Sequence, residues 1–141
     1  MELLVLFAAI AACVLATSPP ETSPLISDHF PTTVLDKNDK QLEPLKWLAI
    51  EEANKKLPGT ANFVPFAILK AEKITSAYST SFYFTMEIAE STCLKSKVSH
   101  AQLVAKPCKV KVGGQHKTAE FEVHNGISIE EKPAVNMELL K

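Results

Sequence analysis

Phe82-Tyr83-Phe84-Thr85-Met86-Glu87-Ile88-Ala89-Glu90-Ser91-Thr92-Cys93 is the stretch that decides how this chain folds. Phe82, Phe84, Met86 and Ile88 fall at every second position, with Tyr83, Thr85 and Glu87 between them. A period of two sends the first set to one face of a strand and the second set to the other. The spacing predicts a half-buried strand over residues 80–89, so the chain must supply something apolar to cover its inner face.

Working upstream, residues 43–56 supply that cover. Leu45, Leu48, Ala49, Ala53 and Leu57 recur at steps of three and four, which makes one apolar helix face, widened by Trp47 and Ile50. Pro44 suits the first helical turn, where its missing N–H costs nothing. Lys55 and Lys56 suit the last turn, and Leu57-Pro58-Gly59 stops the helix. Residues 63–76 read as a second strand with imperfect alternation, and Pro65 favours an edge near its start. Ser76-Ala77-Tyr78-Ser79 then joins two strands as a hairpin loop lacking glycine or asparagine.

Downstream, residues 90–106 read as a polar connection long enough to carry a short helical turn from about Ser99 to Val104. Cys108, Val110 and Val112 alternate with Lys109 and Lys111; Gly113-Gly114-Gln115-His116 turns; Ala119, Phe121 and Val123 alternate again. This pattern predicts a second hairpin. Residues 125–141 read as a charged, loosely held tail.

The first residues read differently. Leu3 through Leu15 is an apolar run, shorter than the about 20 residues a membrane span requires. It ends Val14-Leu15-Ala16, a small-residue ending suited to signal peptidase, although Glu2 stands where a basic residue is usual. Residues 1–16 are therefore expected to be a signal peptide. Residues 17–38, rich in Pro, Ser and Thr, are expected to be an extended segment, residues 39–124 the folded domain and residues 125–141 the tail. The protein is expected to be secreted, with no membrane association after cleavage.

All 15 basic residues of the 141 are lysine, against 16 acidic residues. Without arginine there is no guanidinium fork for phosphate or carboxylate. Near-neutral charge argues against nucleic acid as a partner. Cys13 would leave with the leader. Cys93 and Cys108 then remain, either as a bridge or as two buried thiols, and an oxidising compartment favours the bridge. Closing that loop stabilises by about 3 kcal/mol in the chain-entropy model.

The order of one helix and four strands in two hairpins resembles the secreted cystatins. The likeness rests on Ala49-Ile50-Glu51-Glu52-Ala53-Asn54-Lys55, on Leu69-Lys70-Ala71-Glu72-Lys73 and, most of all, on residues 82–93 ending Ala89-Glu90-Ser91-Thr92-Cys93. It implies an α+β, cystatin-like fold: an antiparallel sheet of four or five strands wrapped around one helix. It also implies a monomeric inhibitor of papain-like cysteine proteases. In that family a glycine-hinged N-terminal trunk, a Gln-x-Val-x-Gly hairpin and a Pro-Trp hairpin form a wedge that fills the protease cleft.

This chain departs from the wedge at all three places. No glycine precedes Pro58. Counting back from Cys93 sets Thr75-Ser76-Ala77-Tyr78-Ser79 where Gln-x-Val-x-Gly belongs, and counting forward from the helix shifts this by about one residue. Gly113-Gly114-Gln115-His116 stands for the second hairpin, without Pro or Trp. The resemblance thus implies protease contacts at Thr75, Ser76, Ala77, Tyr78 and Ser79 and at Gly113, Gly114, Gln115 and His116, joined by the residues from about Phe30 to Thr33, with weak or altered inhibition. A non-inhibitory binding module on the same scaffold is the alternative. Family members usually pair four cysteines first to second and third to fourth. Cys93 matches the first and Cys108 resembles the third, so a Cys93–Cys108 bridge would be a different staple.

Other chemistry finds little support. Cys93 and Cys108 sit at strand positions and suit structure better than nucleophilic catalysis. His29, His100, His116 and His124 are scattered rather than spaced as zinc ligands. No catalytic residue, metal or cofactor is expected.

Overall fold

In a computed structural model, residues 30–126 and 132–141 are described. The elements run β1 (Thr32–Val34), α1 (Leu42–Lys56), β2 (Ala61–Thr75), β3 (Thr80–Leu94), α2 (His100–Ala105), β4 (His116–Asn125) and β5 (Ala134–Leu139). The five strands form one antiparallel sheet in chain order. The expected signal peptide lies outside the described residues.

Helix α1 buries Leu42, Leu45, Ala49, Ile50 and Ala53, the stripe read from the sequence. Pro44 sits in its first turn, and Gly59, at φ 106°, allows the reversal into β2 that an L side chain would resist. The sheet answers with Phe82, Phe84, Met86 and Ile88 of β3 and with Ala119, Phe121 and Val123 of β4. Phe84 and Phe121 stack across the two strands with ring centroids 5.6 Å apart. Burial of this kind, at about 25 cal/mol per Å² of apolar surface, is the main force holding helix to sheet.

Strand β2 alternates poorly for a structural reason. Its pairing with β3 shifts register between Ala61 and Phe63, between Pro65 and Ala67, and between Ile68 and Lys70. Each irregularity adds local bend and twist, and together they curl the long hairpin around the helix. On the outer edge Asn54 acts as a substitute strand. Its amide donates to the Phe63 carbonyl at 3.1 Å, and its side-chain oxygen accepts from the Phe63 N–H at 2.7 Å.

Three expectations are corrected. Residues 108–112 are not one arm of a hairpin. Val110 makes a single bridge to Ser91, Thr92 N–H donates to the Lys109 carbonyl, and Lys111 N–H donates to the Glu90 carbonyl. His116 then pairs with Ala89, so both segments lie along the same edge of β3 rather than on each other. The tail is not loose, because Ala134–Leu139 is the fifth strand, paired to β4 from Ala119↔Leu139 to His124↔Ala134. The true last hairpin is therefore β4–β5. Strand β3 also runs five residues beyond Ala89, to Leu94.

Cys93 and Cys108 are bridged, with Cα atoms 6.1 Å apart. Cys108 precedes β4, so it is not on the first strand of the last hairpin and does not take the third-cysteine place. The bridge closes the β3–β4 connection.

Candidate functional site

The β2–β3 loop is organised by one hydroxyl. Backbone closure comes from Ser76 N–H donating to the Ser79 carbonyl at 2.9 Å. Ser76 Oγ accepts from the backbone N–H of Ser79 at 3.0 Å and of Tyr78 at 3.3 Å, and it lies 3.0 Å from Ser79 Oγ. These bonds make a serine-centred turn, which explains how four residues reverse the chain with no glycine. No non-glycine residue among those described has positive φ, so the loop is unstrained. Tyr78 stands out from it, 74% exposed.

Neighbouring elements gather at the same rim. Thr32 of β1 pairs with Ile74, and Thr75 N–H points to the Pro31 carbonyl at 3.5 Å, so the chain enters the fold beside the loop with Phe30 half exposed. On the other side Thr80 pairs with Asn125, and Ser81 Oγ bonds to the His124 imidazole. His124 also pairs with Ala134, so the connection from β4 to β5 leaves and rejoins the sheet at this rim. Just before β5, the Lys132 ammonium donates to both Glu51 carboxylate oxygens, at 3.0 and 2.9 Å. Lys132 and then Lys55 hold the Glu51 carboxyl down to about 2.

Gly113, Gly114, Gln115 and His116 lie elsewhere. The register Ala89↔His116 sets them some nine residues along β3 from Thr80, at the opposite end of the sheet. There Gln115 N–H donates to Glu90 Oε2 at 3.0 Å, and its carbonyl accepts from Glu90 N–H at 2.8 Å. Gly114 is packed so closely that a Cβ would meet the Lys111 carbonyl at 3.0 Å and Glu90 Cβ at 3.2 Å. His116 is the first residue of β4. It lies 2.6 Å from Glu87 Oε1 and edge-on to Phe66, with centroids 4.8 Å apart. Thr75–Ser79 and Gly113–His116 therefore cannot meet one partner surface together. The rim positions missed in the sequence are Asn125 and Ala134. They become visible only once β5 is known to pair with β4.

No group of three or more His, Cys, Asp or Glu residues suited to a metal occurs among the described residues. Among the described residues His100, whose pKa burial lowers, has no partner for Nδ1, and it meets Trp47 edge-on at 6.4 Å. Its place is structural.

A curled five-stranded sheet on one long helix, with the β2–β3 loop beside the entering chain at one rim, defines a protein of the cystatin fold. The chain belongs to the cystatin family: the model of the Cystatin domain matches residues 31–128. It is a family of inhibitors, not of enzymes. Among solved structures the chain is similar to Al-CPI, with TM-score 0.63, 16% identity, and coverage of 78% of this chain and 99% of that one. It is similar to the salivary cystatin of the soft tick Ornithodoros moubata (TM-score 0.62, 16% identity, 79% and 98% coverage). Dimeric human cystatin F is a third (TM-score 0.57, 15% identity, 85% and 97% coverage). At such identities the likeness is one of fold. No curated protein matches the chain in sequence.

Proposed function

We propose that this protein is a secreted inhibitor of papain-like cysteine proteases with weak or altered potency. It would bind them through the rim formed by residues 30–33, residues 75–79 and the ends of β4 and β5. The observation that carries the reading is the Ser76-centred loop, closed by its own hydrogen bonds and exposed beside the entering chain. A preformed edge loses little conformational freedom on binding, and Tyr78 offers a large contact area from a side chain with two torsions. The altered potency follows from the side chains. Where the family has Gln-x-Val-x-Gly, this loop has a serine in place of the glycine, and its backbone cannot approach a cleft as closely.

The test is inhibition of papain and cathepsin L by the mature protein, before and after the triple change Thr75→Gln, Ala77→Val and Ser79→Gly. The expected result is weak inhibition that the graft tightens by at least about tenfold, or 1.4 kcal/mol, and that Tyr78→Ala weakens. Failure of both wild type and graft to inhibit would sink the proposal. Inhibition by the graft alone would favour the alternative, a non-inhibitory binding module. The absence of glycine before Pro58 supports that alternative. Secretion is checked separately, by N-terminal sequencing of the exported protein, with Thr17 expected as its first residue.

A further inference from the structure

The near-neutral charge of the chain conceals an uneven distribution. From Ser91 to Ala119 there are six lysines, at 95, 97, 106, 109, 111 and 117, and no acidic residue. The fold gathers this stretch at the pole opposite the rim. The Cys93–Cys108 bridge brings its two halves to a Cα separation of 6.1 Å. Lys95, Lys106 and Lys109 each lie within two residues of a bridged cysteine. Thr92 N–H donates to the Lys109 carbonyl at 3.0 Å, which fixes Lys109 beside the end of β3. Lys97, Lys106 and Lys109 are exposed. Lys111 is paired with Glu90, but among the described residues Lys95, Lys97, Lys106, Lys109 and Lys117 make no ion pair. Like charges held together without counter-charges repel one another, and an anionic partner relieves that repulsion.

We propose that this lysine pole is a binding surface for a sulfated polysaccharide. The side chains present select among polyanions. The pole has no arginine for bidentate phosphate contacts, and no Phe, Tyr or Trp occurs between residues 91 and 119 for bases to stack on. Both absences disfavour a nucleic acid. Lysine ammonium groups suit closely spaced single charges that need no fork. A disulfide at the centre of the patch suits an oxidising compartment, where sulfated glycans are the multivalent anions at hand. The pole and the rim lie at opposite ends of β3, so glycan binding leaves the loop at residues 76–79 free.

The experiment uses the full mature protein and heparin as the probe, with affinity measured against salt. The triple variant K97E/K106E/K109E is compared with K37E/K40E/K70E, which changes net charge equally and lies outside the pole. The expected result is salt-sensitive heparin binding, lowered at least about tenfold in the pole variant and less than about twofold in the control. Protease inhibition, or its absence, is expected to be the same in all three proteins. Equal losses in both variants, no heparin binding by the wild type, or equal affinity for heparin, desulfated heparin and a single-stranded RNA would each overturn the proposal. Far-ultraviolet circular dichroism confirms that the surface variants are folded.

Discussion

Ser76 does with a hydroxyl what glycine or asparagine does in most tight hairpins, so its replacement is informative. Ser76→Ala removes the acceptor for two backbone N–H groups at a half-buried site. The expected loss is about 0.5–1.5 kcal/mol, read as a lower urea midpoint at unchanged slope. Asn54 is the second residue of this kind. Asn54→Ala leaves the N–H and carbonyl of buried Phe63 without their partner and is expected to cost about 1–3 kcal/mol in the same assay. Neither role was legible in the sequence. Ser76 was identified as a loop residue, but its bonds depend on the closed turn. Asn54 was only one polar position in a helix until the register of β2 brought Phe63 against it.

The elements were legible in proportion to how completely their partners cover them. Helix α1 and strand β3 are covered along one whole face, and their periods of about 3.6 and 2 appear plainly in residues 42–57 and 82–88. Strand β5 lies at the sheet edge with only Val135 and Met137 half buried, so its alternation is faint and it resembled a tail. Residues 109–112 erred in the other direction. Lys-Val-Lys-Val alternates well, yet Val112 is fully exposed and only Val110 pairs, because alternation records amphipathicity and not the presence of a partner strand. Helix α2 has six residues, too short to persist alone. Its Ser99–Gln102 capping box and buried Leu103 secure it. The contact between Lys132 and Glu51 joins α1 to the start of β5 and makes a pH-dependent prediction. The folded pKa of Glu51 is depressed, so the contact stabilises above about pH 4.5 and that contribution disappears as pH falls towards about 2. Lys132→Ala is expected to lower stability by at most about 1 kcal/mol at pH 6, since the lysine is largely exposed, and to melt like wild type near pH 2. A stability gap that persists at pH 2 would mean that Lys132 acts through packing instead.

At the scale of the whole molecule, the core and the disulfide hold different parts. The core is shared by α1 and strands β2 to β4, with Leu103 as the contribution from α2. The bridge spans a sequence separation of 15 and encloses α2, outside the long β2–β3 hairpin. Reducing it, or making the double substitution Cys93→Ser and Cys108→Ser, therefore releases one pole while the sheet retains its helix. The loop-entropy contribution is about 3 kcal/mol, which lowers the melting temperature by on the order of 10 °C for a domain of this size. The loss is expected to be local before it is global. Amide exchange in residues 95–115 should accelerate at temperatures where β2 and β3 remain protected, since local opening follows the contacts that remain. The same loosening lets Lys106 and Lys109 move away from Lys95 and relieves the repulsion the bridge imposes. High salt, which screens that repulsion, should then widen the gap in melting temperature between bridged and unbridged proteins, through a gain by the bridged form. Uniform loss of protection across α1, β3 and the α2 segment on reduction would show instead that the bridge and the core form a single cooperative unit.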